Sequence, residues 1–241
     1  MEGLKLPDKV KHILEDFVGK MKSIYKEELV SVILYGSAAS GEYAGKYSNI
    51  NVLVVLYDTG LKNLSMAADV VGSRKYRDLS ALFFTPDYIK TSSDVFPLEF
   101  MDMKENHAVL YGSDVLQSIF IDPKNLRFQC EQELKSKTIN MKRLYLVTKD
   151  GPRLKKLLFG SFTSSFHILR NMLRVKGITP AYSGEAALKE IQELFRIDME
   201  VFYTVMDAKK KNLPLSLKET DFLFTAFVDQ LEKIARIVDN I

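Results

Sequence analysis

The chain is poor in the features that announce a chemistry. Its 241 residues contain one cysteine, Cys130. An intrachain disulfide is therefore excluded, and with it a small stapled scaffold. No stretch of 18 apolar residues occurs, so no transmembrane helix is expected. The opening stretch, MEGLKLPDKVKHILEDF, is charged and amphipathic and lacks the apolar centre of a signal peptide. A cytoplasmic location is the expectation. There is no internal repeat and no low-complexity tract. The histidines His12, His107 and His167 lie in separate elements and never at i, i+4 spacing, so no zinc motif is expected. The composition, 46% hydrophobic and 27% charged, excludes a disordered chain.

Net charge is also scarce, at +3, but it is unevenly placed. Residues 1–122 hold 13 basic and 17 acidic residues, net −4, whereas residues 123–241 hold 21 and 14, net +7. Within 123–176 there are 13 basic residues against Glu131, Glu133 and Asp150, net +10. This stretch includes Lys135, Lys137, Lys142, Arg143, Lys149, Arg153, Lys155, Lys156, Arg170, Arg174 and Lys176. It reads either as a solvated helical face or as an electropositive wall for phosphates. Lys209-Lys210-Lys211 reads as a complement to a helix C-terminus.

The first half has the pattern of a mixed α/β domain. Val10, Ile13, Leu14, Phe17, Met21 and Ile24 recur at helical spacing over 7–27. Leu29–Tyr35 and Asn51–Tyr57 are rich in β-branched residues and read as strands. Leu79–Phe84, Leu98–Met103 and His107–Tyr111 read as three more. A helix is expected over 61–75. From Pro123 onward the periodicity is helical, over about 124–149, 153–176, 184–196, 199–211 and 217–240. Asp150-Gly151-Pro152, Gly177-Ile178-Thr179-Pro180 and Asn212-Leu213-Pro214 punctuate it. The expected organisation is an α/β (α+β) domain with a mixed sheet over 1–122, then an all-α up-and-down bundle over 123–241.

One stretch carries chemistry. The strand Val32-Ile33-Leu34-Tyr35 ends in Gly36-Ser37. A loop of about a dozen residues follows, and the next strand opens with polar residues at i and i+2, Asn49 and Asn51. Alternate strand residues share a face. This pattern resembles the signature of the nucleotidyltransferase superfamily, the polymerase-β-like fold. The helical second half resembles the bundle of its aminoglycoside nucleotidyltransferase-like members. The resemblance implies that Gly36, Ser37 and Ser48, with Asn49 and Asn51, contact nucleotide phosphates. It also implies a ligand in the cleft between the two domains. In the family the i and i+2 positions are Asp residues that bind Mg²⁺, and a third carboxylate comes from a later strand. Here both are Asn, and Glu99, read on the strand 98–103, is placed at the third position. Asp102 would face the other side of that strand.

The resemblance therefore implies a catalytically degenerate homologue that binds a nucleotide or another phosphate-bearing small molecule, with a protein partner as a further possibility. No metal site is assigned. The alternative is an active nucleotidyltransferase acting on a small-molecule or protein acceptor, in which Glu99 and nucleotide-borne Mg²⁺ carry the reaction. A third reading is a nucleic-acid-binding module using the basic helices 123–176. No set of stacking aromatics interleaves with those basic residues. Oligomeric state is left open. Cys130 reads as a plain thiol, and His167 as a packing or groove histidine. Ser164 and Ser165 read as small packing or polar positions, and Gly41 and Gly45 as loop turns. Arg170 and Arg174 have no histidine a few residues downstream, so ribonuclease activity is not expected.

Overall fold

The computed structural model describes residues 4–41, 43, 49–148, 150–181 and 183–241. The chain divides into two compact units, Met1–Ile121 and Asp122–Ile241.

The first unit is built on a mixed sheet of β1 (Leu29–Tyr35), β2 (Ile50–Leu56), β3 (Leu79–Phe84) and β4 (His107–Gly112). The strand order is β3-β2-β1-β4. β1 pairs antiparallel with β2 and β4, and β2 runs parallel to β3. β1 and β2 are the central strands. Their near-continuous apolar runs fit burial on both faces. One face carries Val32, Leu34, Ile50, Val52, Val54 and Leu56. It is covered by α1 (Asp8–Tyr25), whose Val10, Leu14, Phe17, Val18 and Met21 form the buried stripe. The other face carries Ile33, Leu53 and Val55. It packs against Ile89 of α5 (Pro86–Ser92), Phe100 and Met103 of α6 (Pro97–Glu105), and Leu116 and Ile119 of the following segment. The stretch 61–76 is broken into short turns, α3 (Leu61–Leu64), α4 (Ala68–Val71) and two 3₁₀ turns, rather than one helix.

Residues 97–105 are helical, which corrects the strand expected over 98–103. Pro97 takes the first helical position, where a missing N–H costs nothing. No residue from Pro97 to Glu105 is β-branched, so the segment lacks the side chains that favour a pleated surface. Phe100 and Met103 stand three apart and reach the core together, the helical rather than the alternating period.

The second unit is helical: α7 (Pro123–Val147), α8 (Gly151–Val175), α9 (Gly184–Phe195), α10 (Glu200–Lys210) and α11 (Leu217–Val238). The helix starts are chemically marked. Asp122, Asp150 and Ser183 each accept a first-turn backbone N–H. Ser216 and Glu219 form a reciprocal capping box at the start of α11. α7, α8 and α11 pack pairwise. Phe162, Phe202 and Phe227 form an aromatic cluster, with Phe202 and Phe227 ring centroids 4.9 Å apart. Among the described residues no helix is long and apolar enough to cross a membrane.

Candidate functional site

The turn after β1 depends on glycine. Gly36 has φ 73° and ψ −150°, a region that only glycine enters at low cost. Its N–H donates to the Asn106 carbonyl at 2.8 Å, and its own carbonyl accepts from the N–H groups of Ala39 and Ser40. The chain thus reverses at once into the single helical turn α2 (Ser37–Ser40), which Gly41 closes at φ 84°. A Cβ on Gly36 would stand 3.3 Å from Nδ2 of Asn51. A side chain at position 36 would therefore press on the Asn51 amide.

Cross-strand register sets the rest of the site. Tyr35 lies opposite Asn51 on β2 and opposite His107 on β4. Asn51 lies opposite Ser80 on β3. Directly paired residues share a face. Ser80, Asn51, Tyr35 and His107 therefore form one row across all four strands, on the face that carries Ile33, Leu53 and Val55. Burial raises the Tyr35 phenol above its ordinary value. His107 is fixed from both ring nitrogens. Nδ1 is 2.9 Å from the Lys104 carbonyl and Nε2 is 3.0 Å from the Asp114 carboxylate. Both partners are oxygen acceptors, so each ring nitrogen faces one. Burial acts to raise the Asp114 pKa. Hydrogen bonds from His107, Gln117 and Leu116 outweigh it and hold the carboxyl below its ordinary value.

The residues expected from sequence divide as follows. Gly36, Ser37 and Asn51 are brought together at the end of β1. Asn49 is exposed and immediately precedes β2, whose entry is pinned by the Ile50 N–H donating to the Asp78 carbonyl at 2.9 Å. Ser48 lies outside the described residues, as does Gly45. Glu99 is exposed in the first turn of α6, not on a strand. The premise that put it on a sheet face beside Asn51 is lost. The position beside Asn51 on the later, parallel strand is Ser80. Strand pairing could have found it, because Leu79–Phe84 is readable as a strand and Ser80 is its polar alternate. Tyr35, His107 and Asp114 also escaped, since their association depends on the β1–β4 register. Asp58 supplies nothing here: it accepts the Gly60 N–H at 2.8 Å beyond the far end of β2, about 20 Å along the strand from Asn51.

A divalent magnesium site of the kind the resemblance implies is not met by these residues. Asn49, Asn51 and Ser80 offer neutral oxygens, and Mg²⁺ sites are built around carboxylates. At an effective dielectric near 20, each missing unit charge at ~4 Å forfeits roughly 4 kcal/mol of attraction. Among the described residues no group of three or more His, Cys, Asp or Glu side chains is disposed to hold a metal.

Elsewhere, Cys130 is buried in α7 and burial pushes its thiol up to about 12, so it is protonated at neutral pH. Ser165 is buried in α8, in keeping with a packing role. His167 is exposed on α8, so of its two expected roles the packed one is lost, and its carbonyl accepts the Asn171 side-chain amide. Lys149 lies outside the described residues. Most of the other basic side chains of 123–176 are engaged within the second unit. Arg127 and Lys135 bracket Glu131, Lys142 reaches Glu232, Arg153 pairs with Asp150, and Lys155 donates to the Leu213 carbonyl.

No protein-family model matches the chain, and no curated protein matches it. Its architecture is similar to the crystal structure of spectinomycin adenyltransferase AAD(9) from Enterococcus faecialis with ATP and spectinomycin. The TM-score is 0.59 at 9% identity, over 92% of this chain and 99% of that one. At that identity the likeness shows the fold: a two-domain nucleotidyltransferase-like architecture.

Proposed function

We propose that this chain is a catalytically degenerate protein on the nucleotidyltransferase fold that binds a nucleotide or another phosphate-bearing small molecule at the Gly36-Ser37 turn. The observation that carries the reading is the row Ser80–Asn51–Tyr35 beside Gly36. It offers an amide and a hydroxyl, whereas metal-dependent transfer relies on carboxylates. An amide donates hydrogen bonds to phosphate oxygens, whereas a carboxylate would repel them. The first N–H groups of a helical turn have no partner inside it, so those of Ser37 and Ala38 add donors at the same place. The similar solved structure contains ATP, which agrees with a nucleotide as ligand.

Titration calorimetry with the four ribonucleoside triphosphates, with Mg²⁺ and with chelator, tests the reading. The expected outcome is binding of at least one nucleotide with an affinity that changes little when Mg²⁺ is removed, and no transfer of labelled nucleotide to acceptors in a lysate. The double substitution Asn49→Asp, Asn51→Asp should make binding depend on Mg²⁺. Failure of all four nucleotides to bind would overturn the ligand. Transfer by the unaltered chain would overturn the degeneracy.

A further inference from the structure

A second site is suggested by the basic residues that the helical unit does not consume. A groove of about 470 Å³ runs between α7 and α8, lined by Lys137, Asn140, Arg153, Lys156, Gly160 and Ser164 among others. Lys137 is its central charge. The ammonium donates to Oγ of Ser164 at 2.6 Å. That hydroxyl lies 3.2 Å from the carbonyls of both Gly160 and Ser161, its acceptors within α8. Lys137 is thus partly removed from water while its hydrogen-bond partner is neutral. Desolvation lowers its pKa, and Glu133 offsets this only in part. Lys156 is exposed on the next turns of α8 and has no ion-pair partner among the described residues. Arg153 is shared with Asp150, at 3.3 Å. With that pair cancelled, the lining keeps the charge of Lys156 and that of Lys137, which Glu133 offsets only in part.

The floor of the groove is open. Gly160 sits in the middle of a 25-residue helix, where glycine is a poor helix former. A Cβ there would meet nothing within 4 Å, so packing does not require the glycine. The residue instead leaves room between the two cations.

The geometry points to an anion site in the α7–α8 groove that takes the phosphate or diphosphate moiety of a small molecule, free or as part of a nucleotide. Lys137 and Lys156 supply the charge and Asn140 a neutral donor, and the open position at Gly160 admits the group. Charge-assisted hydrogen bonds to phosphate are the strong class, and an anion here would offset the desolvation of Lys137. A small ligand is favoured over a nucleic acid because no aromatic ring lines the groove on which a base could stack. The proposal is independent of the Gly36 turn, which belongs to the other unit.

Residue-resolved NMR of the ¹⁵N-labelled chain, titrated with inorganic pyrophosphate at low salt, tests it. The expected result is saturable shifts at the amides of 137, 156, 160 and 164. Affinity should fall at least tenfold in Lys156→Glu and again in Gly160→Leu, which fills the floor. Lys156→Gln gives a smaller loss in the same direction. Both positions changed are exposed, and circular dichroism verifies that the fold is kept. Parallel titrations with ATP and phosphate separate the sources: shifts at 137 and 156 with any of them support the site. No shift in α7 and α8, equal shifts at every exposed lysine, or unchanged affinity in both main variants would overturn it. So would a single-stranded oligonucleotide that binds these residues while pyrophosphate does not. The shifts at 36, 37 and 51 report the other site separately, so each reading fails on its own signals.

Discussion

In the sheet unit, the polar side chains Ser80, Asn51 and His107 gather in one row at the end of the strands, beside a turn that only glycine can make. In the helical unit, Arg127, Lys135, Lys142 and Arg153 are tied to acids or carbonyls of the same unit. The first unit concentrates neutral donors where a ligand can meet them. The second spends most of its excess charge holding helices in place. A high local charge is therefore a poor guide to a binding wall: much of the strongly basic stretch 123–176 is engaged within the unit, and Lys156 along the α7–α8 groove is among the charges left over.

The contrast extends to the backbone. Gly112 and Gly160 are both glycines inside regular elements, and they differ in what surrounds them. Gly112 has φ 80°, and a Cβ there would lie 2.0 Å from the Val30 carbonyl oxygen. Gly160 faces open space. Gly112→Ala must push β4 away from β1, breaking the pairing that places His107 beside Tyr35. The expected cost is about 4 kcal/mol, in the range reserved for gross steric conflict, and urea denaturation followed by circular dichroism measures it. A cost below about 1 kcal/mol would mean that the β1–β4 edge yields easily and that the row of polar residues is loosely held.

Legibility in the sequence follows the same division. The helices of the second half are readable to within a few residues, because Asp122, Asp150, Ser183 and Ser216 mark their starts and the apolar stripes keep a steady period. β1 and β3 are readable because Leu29–Tyr35 and Leu79–Phe84 are apolar runs bounded by polar residues. The segment 97–105 is not. Its Leu-Glu-Phe-Met-Asp-Met imitates an alternating strand, and only the absence of β-branched residues and the place of Pro97 argue otherwise. The candidate site was half visible for a related reason. Gly36, Ser37 and Asn51 lie close together along the chain or in one hairpin-like pair of strands. Ser80 and His107 enter through strand order and register, which a single sequence does not display. The role first given to Glu99 rested on the misread strand.

Arg127 offers a smaller test of the claim that the basic residues are structural. Its guanidinium donates to Glu131 at 3.1 Å and to the carbonyls of Val238 and Asp239 at 3.2 Å. It thereby satisfies carbonyls at the end of α11 that the helix cannot. Arg127→Ala should cost about 2 kcal/mol, the scale of hydrogen bonds to charged groups, read from the midpoint of urea unfolding. Lys156→Ala, with no such partners, should leave the midpoint unchanged. Equal effects of the two substitutions would erase the distinction between engaged and available charge.

The smallest expected effect concerns the acid side of stability in the sheet unit. Asp114 has its pKa lowered from 3.8, the hydrogen bonds from His107, Gln117 and Leu116 outweighing burial. A carboxyl with a depressed folded pKa stabilises the fold fully above its unfolded value. That contribution is lost as pH falls through the lower folded value. Asp114→Asn removes it while keeping the shape, so parent and variant should differ most above pH 4 and converge toward pH 2. The side chain is 32% exposed, and solvent screening keeps the difference below about 1 kcal/mol. Thermal melts of the two chains between pH 2 and pH 6 measure it. If the two differ by the same amount at every pH in that range, Asp114 acts as a neutral turn-former for Leu116 and Gln117. His107 would then be held in the row by Lys104 alone.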